Sequence, residues 1–248
     1  MNHEKNCITY WLPKLKEAGV KIPPTIIIKT KEKLPDFETG IKKIFWMEEP
    51  TEKEINAFQN IRMVLEDAGK KVGYPFFMRT GQTSDKHSWI ETCYVQKEEQ
   101  IMKNLQNLCE QSIMHCQDGG LPYDVLVLRK YIETKPAFHA FNGTPINKEF
   151  RFFINDNKIR CFHPYWPEEA LDMTSDCKDW KEKLKNNNEL TDEEFNLLER
   201  ETEKVAKVFD GYWSVDWMKG KDGQWYAIDM AVGEDSYHWP NCPLEIKS

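Results

Sequence analysis

Residues 212–231 constrain the fold of this chain more than any other stretch. They read Tyr212-Trp-Ser-Val-Asp216-Trp-Met-Lys-Gly-Lys-Asp222-Gly223-Gln-Trp-Tyr-Ala-Ile-Asp229-Met-Ala231. Large apolar residues alternate with small or acidic ones on both sides of Asp222-Gly223, the period-two pattern of a half-buried strand. Asp-Gly is a strong signal for a two-residue hairpin turn, because that turn needs positive φ at both centres. With Asp222-Gly223 as the loop and no bulge, Asp216 falls directly opposite Asp229, with Cβ atoms about 5 Å apart. Trp213, Val215, Trp217, Tyr226, Ile228 and Met230 then form the core face. Ser214, Asp216, Ala227, Asp229 and Ala231 form the other. Two opposed carboxylates repel each other unless a cation lies between them. The residues leave two readings: a hard divalent cation such as Mg²⁺ held by the carboxylates and substrate phosphates, or solvated acids neutralised by Lys or Arg.

The same reasoning places the remaining elements. Thr25–Ile28 follows Pro23-Pro24 as a buried strand, and Lys43–Met47 is a second strand candidate. Thr51-Glu52-Lys53-Glu54 is a capping box. It opens a helix with Ile55, Phe58, Ile61, Leu65 and Ala68 inward and Gly69 at its stop. Phe76–Arg79 is a strand that runs into the polar loop 80–88, and Trp89–Val95 resumes a strand. Residues 97–116 form a helix ending before Gly119-Gly120. Cys109 and Cys116 sit on it as semi-buried packing. Asp124–Leu128 is almost wholly apolar, so both of its faces are buried. Residues 149–163 form a hairpin turning near Asp156-Asn157. Thr191-Asp-Glu-Glu194 is a second capping box, opening a helix with Phe195, Leu198 and Val205 inward. This mixture is α+β, and Gly119-Gly120 suggests lobes at 1–120 and 121–248.

Cations cluster where these strands end. Arg79 closes one, Arg129 and Lys130 close another, and Arg151 lies on one face of the 149–154 strand with Glu149 and Phe153. Each alone is an ordinary surface charge or ion-pair partner. Together with an acid pair, they match the recurring parts of nucleotide phosphate chemistry. Loop 80–88, with Lys86 and His87, is either a phosphate cover or a solvated connector. It is neither a Walker A sequence nor a GxGxxG turn.

Composition narrows the classes. With 34 Lys plus Arg against 41 Asp plus Glu, the net charge of -7 excludes broad nucleic-acid binding, which draws its affinity from excess cations. Seven cysteines, scattered and without a CxxC pair, argue for reduced thiols in a cytoplasmic protein. The first residues lack the apolar core of a secretory signal, and no apolar run suits a membrane span. The histidines form no i, i+4 pair, so no metal set is read from them.

Phe76-Phe-Met-Arg79-Thr, Ser84-Asp85-Lys86, Leu126-Val-Leu-Arg129-Lys130-Tyr131, Glu149-Phe-Arg151-Phe-Phe, Val215-Asp216-Trp and Ile228-Asp229-Met occur in the order seen in ATP-grasp proteins. The set resembles most closely the cell-division-cycle-123-like branch and its phage and bacterial relatives, over about residues 74–239. The resemblance implies two α+β lobes with ATP bound between antiparallel sheets and Mg²⁺ on its phosphates. It implies that Arg79 and Arg151 reach the phosphates and are catalytic, beside the Lys86 that the phosphate-cover reading of loop 80–88 supplies. It implies that Leu128, Arg129 and Lys130 form the adenine segment and that Asp216 and Asp229 hold the metal. One position departs from the family: where its last block reads acid-x-Asn, this chain has Asp229-Met-Ala231. Water, Glu234 or Asp235 would have to replace that amide. The implied activity is an ATP-dependent carboxylate–amine ligase acting on a peptide or protein. The alternatives are a catalytically weak nucleotide-binding assembly factor and an interaction domain that binds no nucleotide. Tyr237–Pro240 either closes the site or packs as a tail.

Overall fold

The computed structural model describes residues 3–114, 120–171 and 177–240. Along the chain the elements are α1 (His3–Asn6), α2 (Ile8–Glu17), β1 (Thr25–Lys29), α3 (Thr30–Lys33), α4 (Pro35–Phe45), α5 (Glu52–Val72), β2 (Phe76–Thr80), β3 (Tyr94–Val95), α6 (Ile101–Met114), β4 (Val125–Lys130), β5 (Phe138–Ala140), β6 (Thr144–Ile146), β7 (Glu149–Asn155), β8 (Lys158–Pro164), α7 (Trp180–Asn187), α8 (Asp192–Ala206), β9 (Trp213–Lys219) and β10 (Trp225–Val232). The chain divides into two compact units. One comprises Pro24–Tyr131 with Asn142–Thr144; the other comprises Met1–Pro23, Ile132–Phe141 and Pro145–Ser248. The architecture is α+β. Among the described residues no helix is long and apolar enough to cross a membrane.

The unit of Pro24–Tyr131 is built on an antiparallel sheet in the order β1-β4-β2-β3. Phe76, Met78, Leu126, Leu128, Ile28 and Val95 alternate onto one face and bury against Ile61, Leu65, Leu105 and Leu108. Thr51 caps α5 by accepting from Glu54 N, while the Glu54 carboxylate accepts from Thr51 N at 2.6 Å. The buried stripe of α5 is Ala57, Ile61, Leu65 and Ala68, whereas Ile55 is exposed, contrary to the expected stripe. The helix runs through Gly69, not stopping there. It ends at Gly73, whose φ of 87° is left-handed.

Lys43–Met47 is no strand. Phe37 and Ile41, one helical turn apart, bury on α4, which begins with Pro35 in its first turn and extends to Phe45. Trp46 and Met47 are exposed beyond its end. Trp89–Val95 is also mostly non-strand. The Asn104 side chain donates to the carbonyls of Ile90 and Tyr94, and Thr92 Oγ1 donates to Asp85 O and Ser88 O. These side chains satisfy backbone groups that a ladder would otherwise take. Helix α6 starts later than expected, after a 3₁₀ turn at Glu98–Gln100. Cys109 is fully buried there, not semi-buried. His115, Cys116, Gly119 and Cys242 lie outside the described residues.

In the other unit an antiparallel sheet runs β10-β9-β7-β8. Its β7–β8 turn places Asp156 and Asn157 at φ of 51° and 62°, the paired positive values of a tight hairpin. Helix α8, capped by Thr191, covers one face: Phe195 packs on Phe162, and Trp217 Nε1 donates to Thr202 Oγ1 at 3.0 Å. Glu194, at its N-terminus, takes both Lys148 and Lys219 at 2.6 Å. Helix α2 belongs to this unit through buried Ile8, Trp11, Leu12 and Leu15, and Tyr10 stacks on Trp213. The sheet's other face is left for the side chains described next.

Candidate functional site

The late hairpin pairs Asp216 with Asp229, but not by the expected route. Gly220 N donates to Gln224 O and Gly223 N to Gly220 O, with Gly223 at φ 79°. The loop is therefore the three-residue Lys221–Gly223 turn with a left-handed glycine, not a two-residue turn at Asp222-Gly223. That shifts the register by one, pairing Tyr226 with Met218 and Ala227 with Trp217. An irregularity between Ala227 and Asp229 restores it, so Asp229 lies opposite Asp216 and Ala231 opposite Ser214. Ala227 thus faces the core with Trp217, and Tyr226 shares the acidic face, the reverse of the expected assignment.

The register continues across the sheet. Arg151 pairs with Asp216 on one side and His163 on the other, giving a single row Asp229–Asp216–Arg151–His163 across β10, β9, β7 and β8. Arg151 Nε donates to Asp216 Oδ1 at 2.7 Å and Nη2 to Oδ2 at 2.8 Å, a bidentate ion pair. The cation that relieves the carboxylate repulsion in this row is therefore the chain's own Arg151. The guanidinium also lies 4.8 Å from the Tyr165 ring centroid. Burial acts to lower the Arg151 pKa, but the charge and hydrogen bonds of Asp216 raise it well above its ordinary value.

His163 closes the row. Burial depresses its pKa to about 4; its bond to Pro164 O opposes this, and the Arg151 charge adds to it. With Nδ1 bonded to Pro164 O at 2.7 Å, Nε2 is a buried atom that has no hydrogen-bond partner among the described residues. Residues after β10 run over this face. Ser236 Oγ meets Ser214 Oγ at 2.6 Å, Tyr237 O accepts from Arg151 Nη1 at 3.1 Å, His238 Nε2 meets Cys161 Sγ at 2.9 Å, and Trp239 stacks on His163.

Hard-oxygen donors suit Mg²⁺, and this row holds two. Asp229 is half-buried, and its Oδ1 accepts from Met230 N at 3.1 Å. Among the described residues no group of three His, Cys, Asp or Glu side chains is clustered for a metal. Two carboxylates, with phosphate oxygens and water completing the shell, is a common way for Mg²⁺ to be held, so the donor set fits. Ala231 contributes no oxygen from its side chain. The nearby amide of Asn6 does not take its place: Oδ1 accepts from Val232 N at 2.7 Å and Nδ2 donates to Asp235 Oδ2 at 2.7 Å.

The other predicted residues belong to the unit of Pro24–Tyr131. Arg79 pairs with Val127, and Arg129 with Phe77 and Thr25, so both arginines lie on the sheet face opposite the helix-covered core. Both are buried. Arg79 Nε donates to Thr80 O at 3.1 Å and Arg129 Nε to Thr25 Oγ1 at 3.3 Å. Leu128, Arg129 and Lys130 sit in the sheet's second strand, paired with β1 on one edge and β2 on the other, so their backbone groups are engaged in the ladder. Backbone outside the ladder begins at Tyr131. In loop 80–88 the amides of Gln82 and Thr83 donate to Thr80 Oγ1, and that of Asp85 to Thr83 Oγ1. Lys86 and His87 lie on a short 3₁₀ turn, where burial and then the Lys86 charge lower the His87 pKa.

Spacing along the chain did not reveal His163, Tyr165 or Asn6, because their roles are cross-strand or long-range. Tyr237–Trp239 carried a visible signal, an aromatic cluster directly after the acid block.

Comparison with known proteins follows the same lines. Residues 67–242 match the model of an ATP-grasp domain, family 3 of its clade. The C-terminally truncated Cdc123 of Schizosaccharomyces pombe superposes with a TM-score of 0.56 at 16% identity, covering 92% of this chain and 84% of that one. A D-alanine–D-alanine ligase from Bacillus anthracis complexed with ATP gives 0.46 at 15% identity, covering 92% and 54%. The yeast likeness is one of fold. Short matches to Tribbles homolog 2 from dog and mouse are 34% identical over 79 residues, 32% of this chain and 22% of those proteins. The chain thus spans about a fifth of the length of these curated relatives. The family match covers most of the chain and includes both the arginine-bearing strands β2 and β4 and the acid–base row: the chain belongs to this ATP-grasp domain family.

Proposed function

We propose that this ATP-grasp protein binds ATP with Mg²⁺ and is an ATP-dependent carboxylate–amine ligase whose acceptor is a peptide or protein. The observation that carries the reading is the alignment of Asp229, Asp216 and Arg151 in one row of the β10-β9-β7-β8 sheet. Asp216 and Asp229 would hold the metal, which when bound neutralises phosphate charge. Arg151 and Arg79 would stabilise charge on the transferred phosphoryl group. Lys86 would bind phosphate. Leu128, Arg129 and Lys130 would flank the adenine, with the backbone from Tyr131 supplying the polar contact. The γ-phosphoryl passes to a carboxylate, giving ADP and an acyl phosphate. An amine then displaces phosphate and forms the amide. A cytoplasmic setting is part of the proposal, motivated by Cys7, Cys93, Cys109, Cys161 and Cys177, none of which is in a disulfide.

A second reading, a nucleotide-binding assembly factor with weak catalysis, is favoured by Ala231 and by the commitment of the Asn6 amide elsewhere. Thermal-shift titration with ATP and Mg²⁺ tests the part common to both. Ligand at about 100 times Kd stabilises a fold by about 2.7 kcal/mol, and no stabilisation under any metal condition sinks both readings. ADP release on adding carboxylate and amine acceptors separates ligase from assembly factor.

A further inference from the structure

Asp216 is covered and ion-paired as it stands. Its side chain is 4% exposed and both oxygens accept from Arg151, which is itself 13% exposed. Three N–H groups of Arg151 are committed, two to Asp216 and one to the Tyr237 carbonyl. Strands β7, β8 and β9 are fixed around the row by their ladders. The cover formed by Ser236–Trp239 is held differently. It pairs with no strand and rests on side-chain contacts: Ser236 with Ser214 and the Val232 carbonyl, His238 with Cys161, Phe153 and His163, and Trp239 stacked on His163, together with the Arg151–Tyr237 bond. Tyr237 is 54% exposed, and with Trp239 and Pro240 it borders a cavity of about 710 Å³ lined also by Pro164, Pro167 and Leu184.

We infer that Ser236–Trp239 is an autoinhibitory strap, which locks Arg151 onto Asp216 and lifts when the row takes up Mg²⁺ and nucleotide. The inference rests on the nucleotide reading of this face. A closed strap leaves only a fraction of molecules competent to bind, and apparent affinity is reduced by that fraction. Lifting would free the third Arg151 donor and let the guanidinium turn away from the Asp216 oxygens.

The test uses the full chain, a fluorescent ATP analogue with Mg²⁺, and the paired variant His238→Ala with Trp239→Ala. The variant is expected to bind at least about fivefold more tightly, through a faster association rate. Hydrogen exchange on the unmodified protein supplies a second readout that needs no substitution: amides 236–239 are expected to exchange faster when ATP and Mg²⁺ are added. Binding by wild type with an unchanged or slower variant, or with strap amides equally or better protected, overturns the strap and leaves the nucleotide reading intact. Binding by the variant alone supports the strap. Binding by neither protein overturns both.

Discussion

Arg151 on β7 and Asp216 on β9 are direct ladder partners joined by hydrogen bonds of 2.7 and 2.8 Å in a nearly buried setting. Such a pair is costly to desolvate, and removing one partner strands the other's charge. Asp216→Leu is expected to destabilise the protein by about 3–5 kcal/mol. The double change Arg151→Met with Asp216→Leu should cost less than the sum of the singles. Urea unfolding of the four proteins checks this, and additive costs would mean that the pair is not coupled.

His163 gives the protein a pH dependence whose sign follows from burial. Its folded pKa of about 4 lies below the ordinary 6.5, so the unfolded chain binds the proton more readily between those values. Stability is therefore full above about pH 6.5 and falls as pH drops toward 4, by about 3 kcal/mol. His163→Gln should flatten that part of the curve. The comparison is between urea midpoints of wild type and variant across this window, and parallel curves would contradict the assignment.

Asn6 ties the N-terminal helix to the turn after β10 through Val232 N and Asp235. Asn6→Ala leaves the Val232 N–H without that acceptor and should cost about 1–3 kcal/mol. Hydrogen exchange should quicken first at Val232. Unchanged protection there would remove Asn6 from the support of the acid block.

Gly233 follows Val232, and a Cβ on it would sit 2.3 Å from Tyr212 Cδ1 and 2.6 Å from Cγ. The ring must shift to admit it, so Gly233→Ala should destabilise by about 1–3 kcal/mol. A melting temperature equal to wild type would show that the 3₁₀ turn at Gly233–Asp235 adjusts freely.

The legible parts of the fold were those written in local chemistry. Both capping boxes, the Asp156-Asn157 turn, the two-sided burial of β4 and the alternation of β9 appear in the structure as their residues predict. Lys43–Met47 misled because an apolar run does not state its period, and Phe37 and Ile41 decide it upstream. Register was the least legible quantity. The opposition of Asp216 and Asp229 follows from the sequence only because a longer loop and a bulge cancel. In the β7–β8 hairpin, counting from the turn sets Phe162 opposite Arg151, and a register shift after Phe153 brings in His163 instead. That shift hid the fourth member of the row. The Arg151–Asp216 pair joins strands separated by α7 and α8, a distance along the chain that no local pattern spans.

Asp229 offers the most direct test of the central claim that this row holds Mg²⁺ for a nucleotide. The measurement is ATP affinity with Mg²⁺ and with chelator, for wild type and Asp229→Asn, alongside ligand-free melting temperatures. The account predicts that Mg²⁺ tightens ATP binding in wild type and that Asp229→Asn loses this gain while melting as wild type does. A variant that keeps the full Mg²⁺-dependent gain would contradict it.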